Sequence, residues 1–113
     1  MENKSNPLPD ILIDDDGYPT AEFLEWIERY DVIENGVYYL LDVLSRNWIY
    51  GDWGFIRKKP RNKKFTVELH TGGWSGNEDL IRALKANNFF WFYWIKSVVG
   101  GHYWFSFPVE KIN

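Results

Sequence analysis

Residues 52–107 carry two β-hairpin signatures separated by one helical signature, and this order excludes most folds for a chain of 113 residues. In the first signature, residues 52–58 and 65–70 alternate apolar side chains with polar or small ones. The polar residues 59–63, which include a proline, lie between them. Alternation with a period of two is typical of strands that bury one face, so these residues predict a hairpin with a solvated side.

The second signature is an apolar run followed by a pair of glycines. Residues 89–95 are apolar on both faces, as in a central strand, and residues 103–107 form a further strand pattern before Pro108. Gly100-Gly101 lies between the two segments, and glycine adopts the positive φ angles that two-residue hairpin turns require. We therefore expect a second hairpin and an antiparallel sheet, because a parallel sheet would need alternating strands and helices.

A two-residue turn at Gly100-Gly101 also predicts which side chains share a face of this hairpin, since the register places Ser97 opposite Trp104. The predicted core face carries Phe90, Phe92, Trp94, Lys96, Tyr103, Phe105 and Phe107. The other face would carry Phe89, Trp91, Tyr93, Ile95, Ser97, His102, Trp104 and Ser106. This second face mixes large rings with serine and histidine, which is typical either of a half-covered structural face or of a recognition surface.

Apolar residues at helical spacing predict helices over residues 21–30, with Thr20 as the cap, and over residues 77–87. Ser75 and Glu78 have the spacing of a capping box for the second of these helices. Residues 37–48 fit a helix or a buried strand, and their strong helix formers favour the helix.

The predicted fold is a single α+β domain over residues 1–113, with the element order α(α)ββαββ. Two or three helices would cover one face of an antiparallel sheet of about four strands. Residues 1–9, which are polar and contain two prolines, are expected to form a loose tail.

Composition excludes several kinds of site. The chain contains no cysteine, so disulfides, iron–sulfur clusters and thiolate nucleophiles are excluded. No apolar run is long enough to span a bilayer, and the residues after Met1 do not resemble a signal peptide. We expect a protein of the cytoplasm that uses no cofactor, no metal and no membrane.

Charge is distributed unevenly within the net charge of −3. Residues 1–36 contain ten acidic and two basic residues, whereas residues 57–64 contain six basic residues and no acidic one. This basic patch consists of Arg57, Lys58, Lys59, Arg61, Lys63 and Lys64. It could contact phosphates, or it could be a solvated hairpin tip. Nucleic acid is not the favoured partner, because dedicated nucleic-acid binders are more often basic overall.

Residues 70–78 form a glycine-rich loop that is the strongest local candidate for a ligand site. Its three glycines allow unusual backbone angles, and it ends at a predicted helix N-terminus, where free N–H groups favour anions. It lacks the lysine of a phosphate loop, and the alternative is a tight strand-to-helix turn. The candidate binding residues in this loop and on the predicted aromatic face are His70, Gly73, Trp74, Ser75, Asn77, Glu78, Trp91, His102 and Trp104.

His70 and His102 are the only histidines, and either could act as a general base or a metal ligand near neutral pH. Their spacing matches no zinc motif, and no Ser/His/Asp order stands out. The sequence therefore assigns no catalytic residue.

Residues 68–78 read ELHTGGWSGNE and are followed by Phe90-Trp91, Trp94, Ser97 and the run Gly100-Gly101-His102-Tyr103. These residues resemble small proteins encoded by bacteriophages and prophages, over about residues 52–107. The resemblance implies no particular activity. It implies a setting, namely a small accessory protein in the cytoplasm of a bacterial host.

The leading hypothesis is a non-enzymatic binding protein of phage or prophage type. It would dock a macromolecule or a small ligand on the aromatic sheet face and the glycine-rich loop, with Trp74, Trp91 and Trp104 as anchors. The sequence also allows the protein to be a homodimer.

Two alternatives belong to other classes. One is a small hydrolase or nuclease that uses His70, Glu78 and His102 around a metal or a water molecule. The other is an immunity-type inhibitor that masks a toxin with the acidic helix bearing Glu22, Glu25 and Glu28.

Overall fold

A computed structural model describes residues 6–109 of the chain. The elements in chain order are α1 Ala21–Arg29, α2 Val32–Asn35, α3 Val37–Arg46, α4 Gly51–Gly54, β1 Phe55–Arg57, β2 Lys64–His70, α5 Ser75–Ala86, α6 Asn88–Trp91, β3 Trp94–Val98 and β4 His102–Pro108. The strands form one antiparallel sheet in the order β1-β2-β4-β3. The α+β class and the two hairpins are confirmed.

The two faces of this sheet differ in burial. The inner face packs with residues of the helices into one apolar core, and its central side chains are Phe65, Val67, Leu69, Phe105 and Phe107, all 5% exposed or less. The outer face carries the alternate side chains of the same two central strands. These are Thr66, Glu68, His70, His102, Trp104 and Ser106, and all are partly exposed.

The longer helices form where the sequence predicts them. Thr20 caps α1, as expected, because its hydroxyl accepts a hydrogen bond from the Phe23 N–H at 3.1 Å. The ambiguous segment 37–48 contains the helix α3, which buries one face in the core. No helix within residues 6–109 is both long enough and apolar enough to cross a bilayer.

The N-terminal segment contacts the helices from Asn6 onward, whereas the sequence predicts a loose tail over residues 1–9. Asn6 accepts a hydrogen bond from the Trp26 indole at 2.8 Å and donates one to the Trp26 carbonyl at 3.2 Å. Asn6 is therefore held against α1, and Leu8 packs against the core, so this part of the predicted tail is not loose. The rest of the predicted tail, residues 1–5, lies outside the described residues.

The first predicted strand begins later than the alternation suggests. Gly51–Gly54 form the helical turn α4, so Trp53 lies on a helix and only Phe55–Arg57 pair with β2. The turn packs tightly at Gly54, where a Cβ atom would lie 2.5 Å from the His70 carbonyl oxygen and 2.8 Å from the Trp48 indole nitrogen. The close contact of α4 with the end of β2 overrides the local alternation.

The strand predicted over residues 89–95 is wrong in its first half, because Asn88–Trp91 form the helix α6. The side chain of Asn87 accepts from the Phe90 N–H and donates to the carbonyls of Ile27 and Tyr30 at the end of α1. Asn87 is 3% exposed, so this one buried amide starts α6 and ties it to α1. Apolar content alone cannot separate a buried helical turn from a buried strand.

The predicted register of the second hairpin is also wrong. Three residues, Val99 to Gly101, connect β3 to β4, so Val98 pairs with His102 and Lys96 pairs with Trp104. A shift of one residue moves every side chain of a strand to the other face. Lys96 therefore lies on the outer face. Trp94 pairs with Phe105 across an irregularity in the strand, and Phe92, which was predicted to be in the core, is 80% exposed.

Candidate functional site on the outer face of the sheet

His70 and His102 are brought together by the pairing of β2 with β4. They lie directly opposite each other, with their Nδ1 atoms 2.8 Å apart. Beyond them the two turns meet, because the Thr71 N–H donates to the Gly101 carbonyl at 2.9 Å. A Cβ atom at Gly101, whose φ is +85°, would overlap the Thr71 hydroxyl, so this contact requires glycine.

A chain of polar contacts runs across the outer face from Lys58, the residue after β1, to His102 on β4. The Lys58 ammonium lies 2.7 Å from Glu68 Oε2, and Glu68 Oε1 lies 3.4 Å from His70 Nε2. The hydrogen bond from Lys58 lowers the pKa of Glu68 below its ordinary value of 4.5, and His70 lowers it further, whereas burial acts in the opposite direction. A neutral His70 that donates from Nε2 to Glu68 must accept at Nδ1, so His102 then donates from its Nδ1.

Aromatic rings surround this histidine pair. The Trp104 ring lies 5.7 Å from the ring of His70 and 6.4 Å from that of His102, measured between centroids. The Lys96 ammonium lies 4.6 Å from the centroid of Trp104, in a cation–π contact. The Trp53 ring packs 5.7 Å from His70 on the side of α4. Charged groups and rings therefore hold one another in place at the centre of the outer face.

One end of the outer face carries three exposed rings, which we call the aromatic rim. Tyr50, Trp53 and Trp74 are 64%, 55% and 47% exposed. Tyr50 and Trp74 pack at 5.8 Å, and Gly72 lies against both tryptophans. An open cleft of about 630 Å³ adjoins the rim and includes Tyr50 and Trp53 in its walls. Neither Tyr50 nor Trp53 was predicted as a site residue, and Trp53 was expected in a strand rather than in α4.

The other end of the outer face is basic. An open cleft of about 600 Å³ is lined by Lys58, Lys59, Arg61, Asn62, Lys64, Thr66 and Ser106, and we call it the basic cleft. Within residues 6–109, Lys59, Arg61 and Lys64 form no ion pair. Arg57 belongs to the predicted basic patch but leaves this surface, because it pairs with Asp42 at 2.5 Å and lies over Tyr38.

Strained backbone marks both ends of this surface. In the part of the chain that the structure describes, the non-glycine residues with positive φ are Tyr50, Asn62 and Lys63. Asn62 and Lys63 form the two-residue turn at the tip of the first hairpin, closed by hydrogen bonds between Arg61 and Lys64. Glycine is preferred at the second of these positions, so the turn retains a lysine at a conformational cost. Strain of this kind is concentrated at binding sites.

Several predicted site residues have other surroundings. Asn77 is 1% exposed, and its amide bonds to the backbone of Ile49 and to the Thr71 carbonyl, so it holds the loop together from inside. Trp91 packs against Tyr103 and Phe105 on the inner side of the sheet, so it shares no surface with Trp104.

The start of α5 also differs from the prediction. Ser75 is the first residue of the helix, its N-cap is Trp74, and the cap has no side-chain hydrogen bond, so the predicted capping box between Ser75 and Glu78 is wrong. Gly73 and Ser75 are exposed and lie beside the aromatic rim in sequence, next to Trp74.

The described residues offer no set of side chains that matches a metal site. No group of three or more histidine, aspartate or glutamate side chains within residues 6–109 is arranged to hold a metal ion. The carboxylate that joins the histidine pair is Glu68 rather than the predicted Glu78. Glu68 already bonds to Lys58 and His70, which makes it part of a structural network.

The chain was compared with known protein families, curated proteins and solved structures. No protein-family model matches this chain, and no curated protein or solved structure matches it either.

Proposed function

We propose that this chain is a non-enzymatic binding protein that holds an anionic macromolecule on the outer face of its sheet. The observation that supports this proposal is the layout of that face. Cations without ion-pair partners line the basic cleft at one end, and exposed rings form the aromatic rim at the other. Cations attract a negatively charged partner, and exposed tryptophan and tyrosine are common anchors in binding surfaces.

The polar network at the centre of the outer face supports binding rather than catalysis. The only carboxylate among its central residues, Glu68, is 13% exposed and is neutralised by Lys58. The histidine pair is held by Glu68, Trp53 and Trp104. A network that is satisfied internally keeps the surface rigid, so little order has to be gained when a partner docks. The resemblance to phage-encoded proteins suits an accessory role of this kind in a bacterial cytoplasm.

The test is retention on immobilised heparin, a polyanion without aromatic rings. We expect the protein to be retained, and the double variant Lys59→Glu/Arg61→Glu to elute at clearly lower salt. The matched control is Arg82→Glu/Lys85→Glu, which makes the same change of net charge on the exposed side of α5. No retention of the wild type, or an equal loss in both double variants, would contradict the proposal.

A further inference from the structure

The outer face also suggests what kind of anionic partner it takes. Resting on the proposed function, we infer that the partner is a single-stranded nucleic acid. Its phosphates would lie in the basic cleft, and its bases would stack on the aromatic rim. The inference depends on two properties found together on one surface, namely unpaired cations and exposed ring faces.

The cations of the basic cleft suit phosphate groups. Lys59, Arg61 and Lys64 converge there with the hydroxyl groups of Thr66 and Ser106, and no acidic residue lines the cleft. Lysine and arginine bind phosphates largely through charge and the release of counterions, and hydroxyl groups add hydrogen bonds. This lining is typical of a surface that tracks a phosphate backbone without reading its sequence.

The rings of the aromatic rim suit unpaired bases. Tyr50, Trp53 and Trp74 are about half exposed or more, so each ring keeps surface that is free for contact. Proteins that bind single strands combine a positive groove with aromatic side chains on which bases stack. A duplex hides the faces of its bases, so it could use the basic cleft but not the rim.

The distance between the two features favours a polymer over a mononucleotide. The strand β2 runs from the basic cleft at Lys64 to the histidine pair at His70, six residues later. At about 3.4 Å per residue this is roughly 20 Å. Only a chain of several nucleotides can reach from one end to the other.

The acidic helix α1 lies away from this surface. The exposed acids Glu22, Glu25 and Glu28 lie on α1, which packs in the helix layer on the inner side of the sheet. Packed layers are about 10 Å apart, whereas charges are screened over about 8 Å at physiological ionic strength. These three carboxylates therefore add little to the electrostatic field at the basic cleft, whose lining contains no acidic residue.

The experiment measures fluorescence anisotropy of a labelled twelve-nucleotide oligothymidylate with the full chain. We expect the logarithm of the affinity to fall as the logarithm of the salt concentration rises, with a slope of about −2. Three unpaired cations line the cleft, and each phosphate contact contributes about −0.7 in single strands. Lys59→Ala/Arg61→Ala should reduce this slope by about 1.4.

The rings provide the decisive variants. Trp53→Ala and Trp74→Ala should each weaken oligothymidylate binding by about 5- to 100-fold, since each stacked base contributes that much. Their effect on heparin retention should be much smaller, because heparin has no rings to stack. Trp74→Phe, which keeps a ring, should restore most of the affinity. The chemical unfolding midpoint of each variant shows whether it is still folded.

The possible outcomes separate the two proposals. One outcome is retention on heparin with the same oligothymidylate affinity in Trp53→Ala, Trp74→Ala and the wild type. That outcome would support the proposed function and overturn this inference. Equal affinity for a twelve-base-pair duplex would also overturn it. Ring-dependent binding of polyglutamate that is as tight as oligothymidylate binding would identify an acidic protein segment as the partner instead. Binding to neither heparin nor oligothymidylate would overturn both proposals.

Discussion

The inner and outer faces of the sheet are built on the same two central strands, but they use aromatic rings in different ways. On the inner face, Phe105 and Phe107 are fully buried and pack against each other and against the ring of Phe90. On the outer face, Trp104 lies under an ammonium group and beside two imidazoles. Burial of the inner rings stabilises the fold through the hydrophobic effect. The outer rings remain in contact with solvent and polar groups, which leaves them available for binding.

The strongest test of this comparison removes one ring from each face. Phe105→Ala should lower the free energy of unfolding by about 3–5 kcal/mol, because it leaves a cavity in a close-packed core. Trp104→Ala should cost about 1 kcal/mol, the value of a partly exposed ring contact. Urea denaturation of both variants measures the difference. Equal costs would show that the outer face is as structural as the inner one.

A smaller effect is expected where backbone contacts hold the histidine pair. Gly101→Ala should cost about 2–4 kcal/mol, because it combines a positive φ with an overlap at Thr71. The control is Gly73→Ala, which has a φ of +79° but nothing within 4 Å, and should cost only about 1–2 kcal/mol. Thermal or urea unfolding measures both variants. If they lose the same amount, the contact between the two turns does not stabilise the site.

The charge network predicts a pH dependence that the inner face lacks. The pKa of Glu68 is lower in the folded protein than its ordinary value of 4.5, so its stabilisation is fully present above that value. It is lost as the pH falls through the lower folded pKa. Glu68→Gln should cost about 1–2 kcal/mol at pH 7 and flatten the decline of stability below pH 4.5.

The neighbouring inner residue supplies the control for this pH effect. Val67→Ala removes an apolar contact from the same strand, so it should lower stability by a similar amount at every pH. Unfolding free energies from pH 3 to pH 7 distinguish the two variants. A parallel shift of the whole curve in Glu68→Gln would contradict an electrostatic role for Glu68.

The smallest expected change is a gain in stability. Lys63→Gly should stabilise the fold by about 1 kcal/mol, because glycine adopts the positive φ of this turn position without strain. The same variant should elute earlier from heparin, since it loses one cation next to the basic cleft. Lys59→Ala should weaken heparin binding without a gain in stability, because Lys59 has no positive φ. A gain in stability together with unchanged heparin binding in Lys63→Gly would show that this lysine serves neither stability nor binding.

Much of the fold follows from local patterns. The helical spacing around Phe23 and around Leu80 predicts α1 and α5, and the alternation from Phe65 to Leu69 predicts the central strand β2. Local patterns failed where one distant contact decided the structure. The Asn87 amide, bonded to the end of α1, turned the start of an apolar run into α6.

The candidate site was predictable only in part. The two histidines, Trp74 and the basic residues were identified as candidates from residue type. Their partners were not, because Glu68 and Lys58 became part of the site through the pairing of β1 with β2, and Lys96 through the register of β3. Tyr50 and Trp53 joined it only because α4 packs against the end of β2.

The sequence by itself determined which segments become helices or strands for most of the chain, and that the strands pair antiparallel, because periodicity and glycine turns act over a few residues. Only the tertiary structure decided which face each side chain occupies and which charges meet. His70 and His102 are separated by 32 positions and Lys58 and Glu68 by 10, so only the pairing of β2 with β4 and of β1 with β2 brings them together.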